Sequence, residues 1–513
     1  MLRTRLTLAS LLLVGGCVVG PNYHRPSLPP AQTYFPTPLP TSTSSAPVIG
    51  VGAAQSFDTA TAISAQWWTL FRSPALNALI EQSFTANPTI DAAVAALKEA
   101  QENVYAQRGY FYPTVQVSYQ GERTKLSGNT ASSSAPGPQG NGENIAPLAP
   151  AQPVTYNFHT AQLTVGYVPD VFGLNRRQVE SLQAQADAAR YELDAAYLTL
   201  ASNVVAAALQ EASTRAQIAA AQTIIHSSSR SLQILQSQLR LGYVTRLDVA
   251  QQELALAQAR GLLPPLERQL AQTRDLIRAL AGDAPDHDVP ETFTLDALHL
   301  PEHLPLSLPS QLIEQRPDVL AAEAQVRSAS AQVGVAVANR LPQFSLDASL
   351  GGQATRFTQL FGNSGTFWSV IGNASEPLFD AGTLRHRQNA AEQALAQAAA
   401  QYRSTVITAF QNVADSLHAL YTDADALKSA VEVEQAAKVT LDVSRRQFQA
   451  GYANGLGVLT AQQAFQQAVI ARVQAQAARL GDTAALFQAL GGGWWNAPAG
   501  SVSGQNDRVS ARQ

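Results

Sequence analysis

Apolar residues recur at every third or fourth position through two long tracts of the chain. One row is Leu182, Ala186, Ala189, Leu193, Ala196, Leu200 and Val204; the other is Leu395, Ala398, Tyr402, Val406, Ala409, Val413, Leu417, Leu420, Ala424, Leu427 and Val431. This spacing predicts a helix with one apolar seam in each tract. The seams lie within residues 174–241 and 383–450, each 68 residues long and free of Gly and Pro. Glycines bound both stretches, Gly173 and Gly242 around the first, Gly382 and Gly451 around the second, and each pair is offset by 209 positions. A continuous helix of that length measures about 100 Å at about 1.5 Å per residue. The chain therefore reads as a duplication of one long-helix unit, built to bridge a distance.

Ahead of each tract the period changes to two. Residues 114–120 read TVQVSYQ after Pro113, and residues 343–350 read QFSLDASL after Pro342, with return strands expected at 156–167 and 366–375. Alternation of this kind predicts strands, and their lengths suit a tilted membrane span of about 9 to 11 residues. Pro88 and Pro317, which start equivalent helices, are 229 positions apart, as are Pro113 and Pro342. The first hairpin thus carries 20 more residues than the second, placed in the Ser-, Gly-, Pro- and Asn-rich stretch 121–155, which reads as a mobile loop. Each repeat runs helix, strand, loop, strand, long helix, tight turn at Gly242 or Gly451, and a returning helix ending near Leu280 or Leu490.

Composition narrows the architecture. Charged residues make up 14% of the chain, low for a two-stranded coiled coil with all outer faces in water. The pattern favours a sheet or cylinder of helices with two contacting flanks each, and a solitary fibrous coiled coil remains as the alternative. A net charge of −4 supplies no basic field for nucleic acid. No run of 18 apolar residues follows Cys17, so a membrane crossing would require a closed β-barrel. Four strands cannot close one, because the smallest single-chain barrels have about eight. Several chains must contribute, unless the hairpins merely cap a helical rod.

The N-terminus bears on compartment. Arg3 and Arg5 precede an apolar run at 6–14 that is too short to span a bilayer, and Gly15 and Gly16 precede Cys17, the sole cysteine. This pattern resembles the lipobox of a bacterial lipoprotein, which implies cleavage after residue 16 and a diacylglyceryl and acyl anchor on Cys17. Val18 and Val19 follow in place of Asp, which by the same resemblance implies sorting to the outer membrane. No thiol is left for a disulfide or a metal.

Motifs of catalysis are absent from the sequence: no P-loop, no nucleophile elbow and no zinc-helix motif. His287, His299 and His303 are the nearest metal candidates, but Pro301 keeps the last two off a shared helical face. They read as solvated connector residues, and the chain reads as a non-enzyme without a cofactor.

A family resemblance rests on several motifs in order. Residues 316–323 (RPDVLAAE) with Gly334 and Pro342, residues 377–382 (PLFDAG) with Arg385, and residues 490–494 (LGGGW) resemble the outer-membrane efflux proteins of the TolC and OprM type. The lipobox, residues 20–26 (GPNYHRP) and residues 67–74 (WWTLFRSP) resemble their lipoprotein, NodT-like branch, which serves resistance-nodulation-division (RND) pumps. The resemblance implies a mainly α fold with a β-barrel segment: a homotrimer whose long helices form a tunnel and whose strands, four per chain, form one 12-strand barrel. It implies a passive exit duct for drugs or other small toxic compounds, partnered by a periplasmic adaptor, an inner-membrane RND pump and outer-membrane lipid. An outer-membrane channel for type I protein secretion shares the fold, and a periplasmic adaptor lipoprotein would share the lipobox and long hairpins.

The expected division is a signal peptide at 1–16, a lipidated and extended tether at 17–65, a first repeat at 66–282, a connector at 283–310, a second repeat at 311–495 and a disordered tail at 496–513. By resemblance the turns are periplasmic tips, where an adaptor docks and the aperture closes. The residues concerned are Gly242, Tyr243, Arg246 and Asp248 in the first, and Gly451, Tyr452, Asn454, Leu456 and Thr460 in the second. Gly457 and Thr460 stand where relatives often place aspartates, which leaves Asp248 and Arg246 as the charged pair. Asp248 is expected one to two turns above the tip, bonded to Arg246 of a neighbouring copy or to Tyr452 or Asn454.

Overall fold

The computed structural model describes residues 18–27, 33–36, 40–58, 63–126, 154–287, 289–306, 309–362, 364–452 and 455–496. The signal peptide, Cys17, most of the 121–155 loop, Asn454 and the tail from 497 onward lie outside these residues. The chain divides into two compact units. One comprises residues 1–24, 101–184 and 327–396, the other residues 25–100, 185–326 and 397–513.

The long helices form almost to the expected residue. Helix α3 spans Leu174–Arg240 and α8 spans Thr383–Gln449, 67 residues each. Numbered in chain order, the others are α1 (Pro74–Ala86), α2 (Pro88–Arg108), α4 (Arg246–Arg260), α5 (Leu263–Ala281), α6 (Pro309–Gln315), α7 (Pro317–Ala338) and α9 (Gly455–Ala489). The strands are β1 (Ser56–Asp58), β2 (Thr114–Leu126), β3 (Val154–Tyr167), β4 (His303–Pro305), β5 (Gln343–Ala354) and β6 (Thr366–Ser375).

In the second unit the seam of α8 is buried without interruption from Tyr402 through Val431. The seam of α3 is broader than a single row. Ala201, Val204, Val205, Ala208 and Ala212 are all buried, and such short side chains let neighbouring backbones approach closely. The returning helix of the first repeat is broken, contrary to the expected single rod. It stops at Arg260 and resumes at Leu263, because Pro264 and Pro265 have no N–H to donate back into the preceding turn. Its counterpart α9 runs unbroken for 35 residues.

The segment read as an extended tether is, in its described part, a packed strap. Thr43, Ala46, Val51 and Gln55 are buried, and β1 pairs in parallel with β4 of the connector. Tyr34 meets Phe410, Phe35 meets His418, and Phe57 meets Tyr421, so three aromatic contacts fix the strap to α8. Arg479 of α9, fully buried, donates to the carbonyls of Val51, Ser44 and Ala53 and to Thr43 Oγ1 at 2.7–3.3 Å. The composition reads as linker because the anchors are sparse in the strap itself; one arginine far along the chain supplies four of the polar ones. The connector is likewise packed, with Val289, Phe293, Leu298, Leu300 and Leu304 in the core.

The motifs that carried the resemblance tie chain ends together. Arg316 forms a fork to Asp318 at 2.6 and 2.9 Å and donates to Ala489 O at the end of α9. The Trp494 indole donates to Gln315 O, and Trp67 stacks on Phe487.

In the first unit four antiparallel strands form a sheet in the order β2-β3-β5-β6. The first three strands run past the expected ends, to Leu126, from Val154 and to Ala354, while β6 has the expected bounds.

Candidate functional site

The sheet's pairing register sorts its side chains onto two chemically distinct faces. Val115 pairs with Val165 and Val165 with Ala348; Val117 pairs with Leu163, Leu163 with Leu350, and Leu350 with Trp368. Directly paired residues share a face, so these rungs build one apolar surface. The intervening rungs, Gln116 with Thr164 and Ser349, then Ser118 with Gln162, build a polar one. Val117, Trp368 and Val370 are 78%, 75% and 62% exposed, a surface no soluble sheet would leave bare. Apolar-out and polar-in alternation is the pattern of a transmembrane barrel wall. Aromatic residues gather toward the loop end, where Tyr119 stacks on His159 and both meet Phe357 edge-on, as in the girdle at a membrane surface.

The chain just before this unit's helices is pinned at the strand-to-helix junction. Val19 N–H donates to Phe172 O. The nearly buried Arg177 donates through Nε to Val19 O at 3.0 Å, through Nη2 to Gly20 O and Asn22 Oδ1, and through Nη1 to Glu180. A Cβ on Gly334 would sit 2.9 Å from the Arg177 stem, and one on Gly20 would sit 2.4 Å from Gly334 Cα. The glycine of the motif is thus a seat for the first residues after Cys17.

In the second unit the two turns are built alike. Gly242 and Gly451 have φ of 80° and 78°. Tyr243 N–H reaches Gln238 O and Gly242 N–H reaches Leu239 O; Tyr452 to Gln447 and Gly451 to Phe448 repeat the pattern. These paired bonds close the last carbonyls of each long helix in the manner that needs a left-handed residue. A Cβ at either glycine would meet nothing within 4 Å, so backbone conformation alone sets the requirement.

Asp248 occupies the first turn of α4, and its carboxylate accepts from Thr245 N–H at 2.8 Å and Thr245 Oγ1 at 2.7 Å, while Asp248 N–H donates to Thr245 Oγ1. This is a capping box. The Thr245 bonds hold the Asp248 carboxyl below its usual range. Among the described residues its carboxylate makes no bond to Tyr452; the other expected partners are Arg246 of a neighbouring copy and Asn454, which lies outside the described residues. The second turn contributes Gly455 instead, where a Cβ would touch Asp248 Oδ1 at 3.4 Å. Thr460 Oγ1 donates to Leu456 O within its own helix. Leu241, Tyr243, Leu247, Tyr452 and Leu456 are all exposed around the turns.

Sequence reasoning missed a buried polar hub above these turns. Ser228 of α3, fully buried, accepts from Gln252 of α4 at its carbonyl and from Gln462 of α9 at its hydroxyl, at 3.0 and 2.8 Å. Arg445 of α8 donates to the adjacent Ser227. Four helices from both repeats converge on two serines, and the run of serines at 227–229 within an apolar tract was the available signal. The three connector histidines do not assemble: His299 N–H donates to Phe71 O and His303 Nδ1 bonds Ser56 Oγ. Among the described residues no group of three potential metal ligands occurs.

The model of the outer membrane efflux protein family matches residues 79–283 and 308–492. The chain belongs to that family. It is 30% identical over 430 residues to the pyoverdine export outer membrane protein OpmQ of Pseudomonas aeruginosa, covering 84% of this chain and 87% of that protein. To the toluene efflux pump outer membrane protein TtgC of Pseudomonas putida it is 26% identical over 496 residues, 96% of each. The solved outer-membrane channel OprN superposes with a TM-score of 0.80 at 26% identity, over 93% of this chain and 100% of that one. The fold is accordingly a helical tunnel with a barrel segment, the location is the outer membrane with a long periplasmic portion, and the role is that of an efflux duct. The resemblance drawn from residues 316–323, 377–382 and 490–494 holds.

Proposed function

We propose that three copies of this chain close a 12-strand barrel and form the passive outer-membrane exit of a tripartite system with a periplasmic adaptor and an inner-membrane RND pump. The observation that carries this reading is the two-faced, four-stranded sheet, whose register-matched apolar surface suits lipid and whose polar surface suits a water-filled passage. Cys17 is the anchoring residue, acylated after cleavage at residue 16, and the pinned backbone from Val18 to Asn22 supports an anchor site close to the strand-to-helix junction.

The tips are the docking and closing region. Their exposed Leu241, Tyr243, Leu247, Tyr452 and Leu456 offer apolar area to an adaptor's helices, and Gly242, Gly451, Arg246, Asp248, Asn454 and Thr460 shape the turns that present it. Because Asp248 caps its own helix, the resting aperture is held mainly by apolar contacts. The cargo is small organic molecules, a class consistent with the names of the pyoverdine-export and toluene-efflux relatives. The duct itself supplies no energy and no covalent chemistry.

The reading is tested in a host stripped of its own exit ducts, expressing the chain with and without its adaptor and pump. Restored resistance to dyes and antibiotics only when all three are present supports it. Restoration of protein secretion with a secretion ATPase, and none of drug resistance, would replace it.

A further inference from the structure

The first unit holds a cavity of about 370 Å³ where the long helix α3 begins and strand β5 starts. It is bordered by Gln107 at the end of α2, Tyr110 just after it, Asn175 and Gln178 in the first turns of α3, and Gln343 at the head of β5. Gln107 organises the polar side. Its Nε2 donates to Asn175 Oδ1 and to Gln178 Oε1, both at 2.6 Å. A side-chain amide carries its oxygen and its nitrogen on opposite prongs, so holding both oxygens turns the two NH2 groups away from Gln107. Asn175 is only 9% exposed, and its Nδ2 has no acceptor among the described residues. Gln178 Nε2 likewise donates to none of them.

A buried donor left without an acceptor is costly, so the cavity suits a ligand that brings acceptor oxygens. The charge of that ligand is constrained as well. Asp170, the acid on the wall, accepts from the N–H groups of Asn175 and Arg176 and from Arg176 Nε at 2.9–3.0 Å, which commits it to the start of α3. No Lys or Arg borders the cavity, so nothing there offsets the desolvation of an anion. Phe172 and Phe344, with ring centroids 6.3 Å apart, and Tyr110 supply the flat apolar wall. Gln343 opens the row that continues through Ser345, Asp347 and Ser349 on the polar face of the sheet. The cavity therefore stands at the foot of the face assigned to water.

We propose that this cavity binds uncharged aromatic molecules carrying a carbonyl oxygen, which accepts from Asn175 and Gln178 while the ring packs against Tyr110. The inference rests on the duct reading above and adds to it a resting site for cargo where helices give way to strands. A neutral hydrogen bond contributes about fivefold in affinity, so the pair of amides gives the passage a chemical preference without holding cargo tightly.

The test is ligand-observed NMR titration of the purified full-length protein in detergent, with benzamide as the probe and benzoate as its anionic match. Benzamide should bind saturably, and roughly fivefold or more tighter than benzoate. The double variant Asn175→Ala with Gln178→Ala should weaken benzamide by roughly tenfold or more, at unchanged mass of the native assembly. Tyr110→Ala, at a position 64% exposed, should weaken it by roughly threefold and decides the matter where the double variant does not fold. Equal affinity in the variants, tighter binding of benzoate, or no saturable binding overturns the site. The resistance assay above reads the duct separately: restored resistance without saturable binding strikes the cavity site alone, whereas binding without resistance strikes the duct and the link of this site to cargo.

Discussion

Replacing Arg479 by Met removes the buried cation that holds the strap and keeps most of the side-chain volume. Of its four acceptors, the Ser44 and Ala53 carbonyls belong to half-buried residues and water can replace the lost bond. Val51 is 1% exposed and water cannot replace its bond; the Thr43 hydroxyl, 4% exposed, keeps only its bond from Gln55 N–H. Hydrogen bonds from a charged donor contribute about 1.5–3 kcal/mol each, so the loss of these two buried ones sets a local cost of about 3 kcal/mol. At about 1.4 kcal/mol per decade, residues 40–58 should open roughly a hundredfold more often. The same substitution acts on Asp423, whose carboxyl is pushed up to about 7 by burial and by its hydrogen bond with Asp482, against the lowering pull of Arg479. An acid with a raised folded pKa binds more protons folded than unfolded, so its contribution falls as pH rises from about 4 to 7 and is flat above. In the variant that fall should extend beyond pH 7. Hydrogen exchange of the detergent-extracted protein, read on peptides covering 40–58, measures both effects. Less than a threefold loss of protection, or a pH dependence identical to wild type, would refute the reasoning.

Asp248→Ala should cost α4 about 1 kcal/mol by deleting its capping box and speed exchange at residues 245–249 several-fold; unchanged exchange would mean that the cap is not formed. Because Asp248 has a depressed pKa, its contribution in the wild type should be complete above about pH 4 and lost only as pH falls through the folded value. Ser228→Ala strips the buried Gln462 amide of its acceptor and should lower stability by about 1–3 kcal/mol, seen as a drop in melting temperature of the extracted assembly; equal melting would discount the hub. Cys17→Ala should abolish incorporation of labelled palmitate, and label persisting in that variant would rule out lipidation at Cys17.

The long helices and the hairpins were legible because each obeys a single rule. Absence of Gly and Pro followed by a left-handed glycine fixed α3 and α8 to within a residue, and the alternation from Pro113 and Pro342 fixed the strand starts. What escaped rests partly on local signals and partly on contacts between distant residues. Pro264 and Pro265 broke a helix in a stretch otherwise rich in helix formers. The strap reads as linker because its order comes from Arg479 and from rings on α8, none of which leaves a local pattern. The cap at Asp248 was legible locally, because Thr245 and Asp248 stand at the spacing of a capping box for α4. Gly334 and Arg316 were visible only as recurring letters; the structure gives them a close approach and a helix-end fork.

The central claim is that the sheet is a membrane wall with lipid on one side and water on the other. Single cysteines at Gln162, Leu163, Thr164 and Val165 of β3, probed in intact outer-membrane vesicles with a membrane-impermeant maleimide, test it most directly. The account predicts labelling at 162 and 164 and protection at 163 and 165; uniform labelling at all four positions would contradict it.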